Sequence, residues 1–474
     1  MPTWEDKETL VNPLRRRALE PADVEVKNPR FAREPQPAVP EQPFPIYREE
    51  PIPQPNAVKN RTSNSRAFSV RGHAVSYFGL FLFTIVLYFR PYEFSSALAW
   101  SAGSAFWIAL ATIIVFLPSQ LVLEGNLTAR PREVNLILCL TVLALLSIPL
   151  GSNPAESWTT FNDTFIKAVL IFIVMINVVR TEGRLNALIY LSFAVSLLLS
   201  IFSVIDYMEG NLSVEGYRVK PMIGGIFGNP NDMAIHLVTM VPIAVGMALG
   251  SRSLLKRIGL FGTALLFVAS IVVTYSRGGF LGLMGATLVL AWTLGRNKRG
   301  LAIGSLIIGI GALFLIAPGN YIGRILSIFG LATDPTGSAS ARKTVLVHSL
   351  IVALRNPLGV GMGNYRFMAP HDAVSHNAYT QVATEMGIPA LLVYFLFMLT
   401  SLRRLGKIPY TDSIAGKRTY YLAAGLKAGL VGYMISSFFA SVAYQWYVYY
   451  LVGFSYCLWR ISDLRLETES VESV

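Results

Sequence analysis

Residues 259–295 read GLFGTALLFVASIVVTYSRGGFLGLMGATLVLAWTLG. Two apolar runs, 259–275 and 279–295, are interrupted only by Tyr275-Ser276-Arg277-Gly278-Gly279. A surface helix of a soluble domain keeps a polar face. These runs have none, and each approaches the length that crosses a hydrocarbon layer about 30 Å thick. The stretch therefore reads as two membrane-spanning helices joined by a tight re-entry turn.

The same texture extends in both directions. Apolar segments recur at 74–90, 97–117, 134–151, 165–179, 186–205, 231–249, 301–317, 387–402, 419–437 and 443–459, which with the first pair makes twelve. The chain of 474 residues is 53% hydrophobic and 14% charged, against about 25% charged in an ordinary soluble domain. Mean hydropathy is +0.49. The fold class is an all-α polytopic membrane protein of about twelve transmembrane helices. A cytosolic enzyme, a secreted disulfide scaffold and a nucleic-acid-binding domain are excluded. Cys139 and Cys457 each lie in an apolar run and are expected to be buried free thiols.

Residues 1–72 are a different material. Twelve of the 26 prolines fall within 1–55, and 1–72 carries 12 Lys+Arg against 10 Asp+Glu. Such a segment cannot bury enough apolar surface to fold, so it reads as a disordered proline-rich tail. With that tail in the cytoplasm, short turns carrying Arg130/Arg132, Arg180/Arg184, Arg252/Lys256/Arg257, Arg296/Lys298/Arg299 and Arg403/Arg404/Lys407/Lys417/Arg418 also face inward, as the positive-inside rule requires. Both termini then lie in the cytoplasm. The domain reading is a tail at 1–72, a membrane domain at 73–460 and a cytoplasmic C-terminal tail at 461–474. One large outward loop containing helices spans 318–386.

The outward side holds more cations than topology asks for. Arg324, Lys343, Arg355, His348 and His371 read as ordinary loop residues, and His236 as a packed, hydrogen-bonded residue inside a span. Three places stand out, each a polar start to a helix entering the membrane from outside. Asn229 is a cap candidate with Pro230 at the first helical position. Ser276 is the cap candidate of the second, beside Arg277, and Ser375 of the third, beside His376 and Asn377.

Helix N-termini present unpaired N–H groups and partial positive charge. Together with Arg218 and Arg277 they suit a multiply charged anion such as a diphosphate, which arginine binds bidentately. A helix N-terminus also disfavours imidazolium, so His376 would stay neutral and able to accept a proton from a hydroxyl near neutral pH. No Asp-x-Asp and no Walker-type loop occurs. Gly359-Val360-Gly361-Met362-Gly363 follows no βαβ pattern and reads as a turn.

The strings Ser152-Asn153-Pro154-Ala155-Glu156-Ser157-Trp158, Phe227-Gly228-Asn229-Pro230-Asn231 and Tyr275-Ser276-Arg277-Gly278-Gly279-Phe280 form a recognisable set. So does Ala341 to Tyr394, with Arg355-Asn356-Pro357-Leu358-Gly359-Val360-Gly361-Met362-Gly363-Asn364-Tyr365, His376-Asn377 and Glu385-Met386-Gly387. In these, over roughly residues 74–460, the chain resembles the bacterial O-antigen ligase and polymerase superfamily of membrane glycosyltransferases. The proline-rich tail has no counterpart in the resemblance.

The resemblance implies an inner-membrane enzyme that takes a glycan from undecaprenyl diphosphate on the periplasmic face. It passes the glycan to an acceptor hydroxyl, of lipid A–core or of another glycan, by inverting displacement and without metal, nucleotide or other cofactor. By the same resemblance Arg218, Arg277 and His376 are the catalytic positions. Lys220, Asn229, Asn231, Ser276, Arg342 and Asn377 are expected to bind substrate. The partners expected are the lipid-linked donor, the acceptor and the bilayer, with no nucleic acid. The cytoplasmic tail is a candidate contact for other polysaccharide-assembly proteins. Ligase, polymerase and a lipid-linked glycan transporter remain the three readings, and the His376-Asn377 arrangement favours the ligase.

Overall fold

The computed structural model of the chain describes residues 72–93, 96–295, 323 and 338–472. Residues 1–71, the span expected at 301–317 and Arg324 lie outside the described residues. Eight long helices come first: α1 (Ala74–Phe89), α2 (Ser104–Glu124), α3 (Arg132–Ser147), α4 (Pro154–Val178), α5 (Glu182–Met208), α6 (Pro230–Gly250), α7 (Leu254–Val273) and α8 (Arg277–Leu294). After the undescribed stretch come α9 (Ser338–Arg355), α10 (Ala378–Glu385), α11 (Ile388–Leu405), α12 (Ile414–Ser436) and α13 (Trp446–Glu472). Among the described residues ten helices are long and apolar enough to cross a membrane. They correspond to ten of the twelve expected spans. The twelfth also forms a helix, α13, although it is not among those ten.

The fourth span begins earlier than its apolar run. Asn153 caps it by accepting from the Glu156 N–H at 3.2 Å, and Pro154 follows at the first position. A polar first turn therefore extends the helix outward from the apolar run. The two cysteines are free, as expected, but only Cys457 is buried. Cys139 is exposed, because it sits on the face of α3 turned away from the bundle.

α6 is buried almost all round, and α12 packs along both α6 and α8. Small residues allow this. A Cβ on Gly425 would come within 2.5 Å of the Pro242 carbonyl oxygen, and one on Gly429 within 2.7 Å of the Thr239 carbonyl oxygen. In a membrane, close packing of small residues replaces the missing hydrophobic drive between helices. The contact sets the ends of α6, α8 and α12 side by side.

At the opposite end, two of the basic turns and the C-terminal helix α13 form ion pairs. Arg180 meets Glu124 at 2.8 Å, and Arg465 meets Glu182 at 3.1 Å. Arg404 reaches the fully buried Glu133 with two nitrogens, Nη2 at 3.1 Å from Oε2, and lies over the Trp459 ring at 4.1 Å. Burying Glu133 without that fork would cost several kcal/mol, about 3–5 where one partner is removed.

Candidate functional site

The loop before α6 closes on itself first. Val214 and Arg218 exchange backbone hydrogen bonds, at 3.1 Å and 3.0 Å. The turn between them has Glu215 and Gly216 both at positive φ, 53° and 76°. This hairpin aims Arg218 inward, where it is 3% exposed. Its Nε donates to the Thr274 carbonyl and its Nη2 to the Asn231 side-chain oxygen, each at 2.8 Å. Nη1 lies 3.4 Å from Glu215. One guanidinium thus joins its own hairpin, the first turn of α6 and the end of α7.

Both helix starts in this cluster are capped as the sequence suggests. Asn229 accepts from the Asn231 N–H at 2.8 Å, with Pro230 at the first position. Ser276 accepts from the Gly279 N–H at 3.1 Å. Arg277 is the first residue of α8, buried, and close enough that its charge works on Arg218. Burial holds the Arg218 guanidinium below the usual arginine value; Glu215 opposes this and Arg277 adds to it. Arginine stays charged regardless, so two cations share one desolvated place. Lys220, only two residues from Arg218, is exposed and makes no hydrogen bond or ion pair among the described residues.

The third helix start departs from expectation. The cap of α10 is Asn377, not Ser375: its side-chain oxygen accepts from the Tyr379 and Thr380 N–H groups at 2.8 Å and 3.0 Å. Ser375 instead donates to the Asn377 carbonyl at 2.9 Å and lies 3.1 Å from Ser441. His376, at φ 51°, holds a left-handed conformation uncommon for a residue with a Cβ, and so cannot begin the helix. Its imidazole is held below the ordinary 6.5, by burial first and then by the charge of Arg342 on α9. The direction agrees with the sequence argument, but these causes take the place of the helix terminus. Arg342 and His376 thus act on one another across 34 residues of sequence.

One segment links the two groups. Residues 437–441 follow α12, and Gly278 lies so close to Phe439 that a Cβ there would come within 2.7 Å of the Phe439 Cβ. Two residues on, Ser441 meets Ser375, the neighbour of His376. The chain neighbours of Arg277 and His376 therefore touch the same short segment. Its only trace in the sequence is the break Ser436-Ser437-Phe438-Phe439-Ala440-Ser441 between two apolar runs.

Behind His376 the glycine-rich string is a turn, as expected. Val360 and Gly361 donate their N–H groups to the Thr384 and Glu385 carbonyls at 2.8 Å and 3.0 Å. Gly359 and Gly387, at φ 90° and 96°, pass so close that any Cβ would strike the facing backbone. Asn364 then clamps residues 152–157 with four hydrogen bonds between 2.6 Å and 3.1 Å. His348 lies 3.3 Å from the Tyr365 hydroxyl, His371 is exposed, and His236 is buried against Ser196 at 2.9 Å. Among the described residues no three of His, Cys, Asp or Glu gather at a separation that would hold a metal ion.

Buried arginines, capped helix starts and a half-buried histidine thus lie at one end of a bundle of apolar helices, and helix starts with arginines suit an anion. Residues 261–395 match the model of the O-antigen ligase family. The resemblance to the O-antigen ligase and polymerase superfamily is thereby borne out, over a stretch that holds Ser276, Arg277, Arg342, His376 and Asn377. Arg218, Asn229 and Asn231 precede it. The match supports a membrane glycosyltransferase of the O-antigen ligase/polymerase type. No curated protein matches the chain.

Proposed function

We propose that the chain transfers a glycan from undecaprenyl diphosphate to an acceptor hydroxyl at the periplasmic face of the inner membrane. The observation that carries this reading is the pairing of buried Arg218 with Arg277 at the start of α8, linked through residues 437–441 to His376. Arg218 and Arg277 bind the diphosphate and stabilise the charge that grows as it leaves. Asn229, Asn231 and Ser276 hold the helix starts that face it.

His376, kept neutral by its surroundings, takes the proton of the acceptor hydroxyl. The oxygen attacks the anomeric carbon from the side opposite the diphosphate and inverts it. The two guanidinium charges do the work a divalent cation does elsewhere, so the reading needs no metal. Arg342 tunes His376, and Asn377 fixes the turn that presents it. Lys220, exposed at the rim, meets the donor on its approach.

The ligase form, with a lipid A–core or similar acceptor, is the reading we favour; a polymerase that extends a lipid-linked chain is the alternative. A transporter of lipid-linked glycans ranks third, since it has no use for a proton acceptor beside two arginines. The test is the lipid-linked glycan pool in cells carrying His376→Ala, sized by mass spectrometry. Long glycans accumulating on the carrier mean blocked ligation, and single repeat units mean blocked polymerisation. An unchanged pool with normal surface polysaccharide sinks the assignment.

A further inference from the structure

The end of the bundle opposite His376 holds a cavity. α6 runs from Pro230 at the site to Gly250, 21 residues and some 30 Å away. There α5, α6, α7, α12 and α13 line an open recess of about 250 Å³, room for roughly eight waters. Lys256, in the first turn of α7, and Arg418, in the second turn of α12, line it beside Asn186, Thr419 and Tyr190.

The cavity also contains a carboxylate, that of Glu182, but this one is already matched. Arg465 meets it at 3.1 Å, and the Thr419 hydroxyl donates to it at 3.3 Å. Among the described residues neither Lys256 nor Arg418 enters an ion pair. The cavity therefore keeps a surplus of two positive charges. The positive-inside rule accounts for the presence of basic residues at this end, but not for their lining a cavity.

One turn along α7 from Lys256, on the same face, Leu260 lines the cavity with Leu185, Met247 and Leu422. Apolar side chains and a cationic cavity at one level match a molecule with an anionic head and apolar chains. We propose that this cavity binds the phosphate of an anionic membrane lipid through Lys256 and Arg418, with the acyl chains lying along Leu185, Met247, Leu260 and Leu422. Basic recesses between helices at a membrane surface are suited to such head groups. The assignment does not depend on the glycosyltransferase reading, because it uses no residue of that site.

The test uses the full-length protein purified in detergent, with phosphatidylglycerol or phosphatidylcholine added and bound lipid read by native mass spectrometry. Phosphatidylglycerol is retained, phosphatidylcholine is not, and Lys256→Gln/Arg418→Gln weakens retention roughly thirtyfold. Lys256→Arg/Arg418→Lys, which preserves both charges, retains the lipid. Equal retention by the native protein and the glutamine variant overturns the proposal. So does loss of retention in the charge-preserving variant while it still elutes as a folded species. Displacement of the lipid by millimolar inorganic phosphate would make a free anion the occupant and overturn the lipid assignment.

Discussion

Arg218 donates to the side chain of Asn231 at 2.8 Å while its Nε holds the Thr274 carbonyl, three residues before Arg277. Position and charge are thus supplied by the same side chain. Arg218→Lys keeps the charge but loses the planar fork, so transfer should fall about tenfold or more. Arg218→Ala should lose about 2–5 kcal/mol of transition-state binding, roughly thirtyfold to several thousandfold in rate. Initial rates in reconstituted membranes, normalised to folded protein, check both. A lysine variant as fast as the native chain would mean the fork does not matter.

Arg342 shapes the pH dependence through His376. The neutral imidazole is the working form, and both burial and Arg342 hold its folded value below 6.5. Activity should therefore persist as pH falls through 6.5 and decline only below it. Removing the positive charge in Arg342→Gln raises the histidine value, so the acid limb moves to higher pH. A pH–rate profile whose acid limb is unmoved in this variant would separate the two residues.

Glu385 makes stability depend on pH in the alkaline direction. Burial pushes its carboxyl up to about 7, although the Gly363 N–H, Tyr444 and Arg366 pull the other way. A folded value above the unfolded 4.5 means full stability below that value, lost as pH rises through about 7. The component is about 3 kcal/mol. Glu385→Gln, always neutral, should flatten the fall in thermal midpoint between mildly acidic and alkaline buffer. A fall as steep as in the native chain would show that Glu385 is not the source.

Asn364 is a structural clamp. Its amide donates to Ser157 at 2.6 Å and to the Asn153 carbonyl at 3.1 Å, and its oxygen accepts from the Asn153 N–H at 2.8 Å. Asn364→Ala leaves the buried Ser157 hydroxyl without this partner, at about 1–3 kcal/mol, and frees the Asn153 backbone groups to solvent. The expected result is a lower thermal midpoint and less protein in the membrane, with KM for donor unchanged in the folded fraction. A raised KM at unchanged stability would move Asn364 into substrate binding.

The legible parts were local. Asn229 and Ser276 cap their helices because a cap involves a side chain and the N–H groups two or three residues on, all visible in a short string. The same rule failed at Ser375. Its hydroxyl is drawn to Ser441, 66 residues away, and His376 turns left-handed, so the helix waits for Asn377. Lys220 and Arg218 look alike in sequence; only the hairpin at Glu215-Gly216 and the Thr274 carbonyl bring one inside and leave the other out.

The sequence by itself determined that this chain spans a membrane with many helices, and where most of them begin and end. Apolar length and local capping act within a single segment, so composition and spacing suffice. The tertiary structure alone decided which polar groups meet. Glycines of α12 let it approach α6 and α8, residues 437–441 bridge Gly278 to Ser375, and Asn364 reaches back 211 residues to Asn153. Such contacts depend on how helices pack side by side, and that is set by the mutual fit of surfaces that no single stretch of sequence contains.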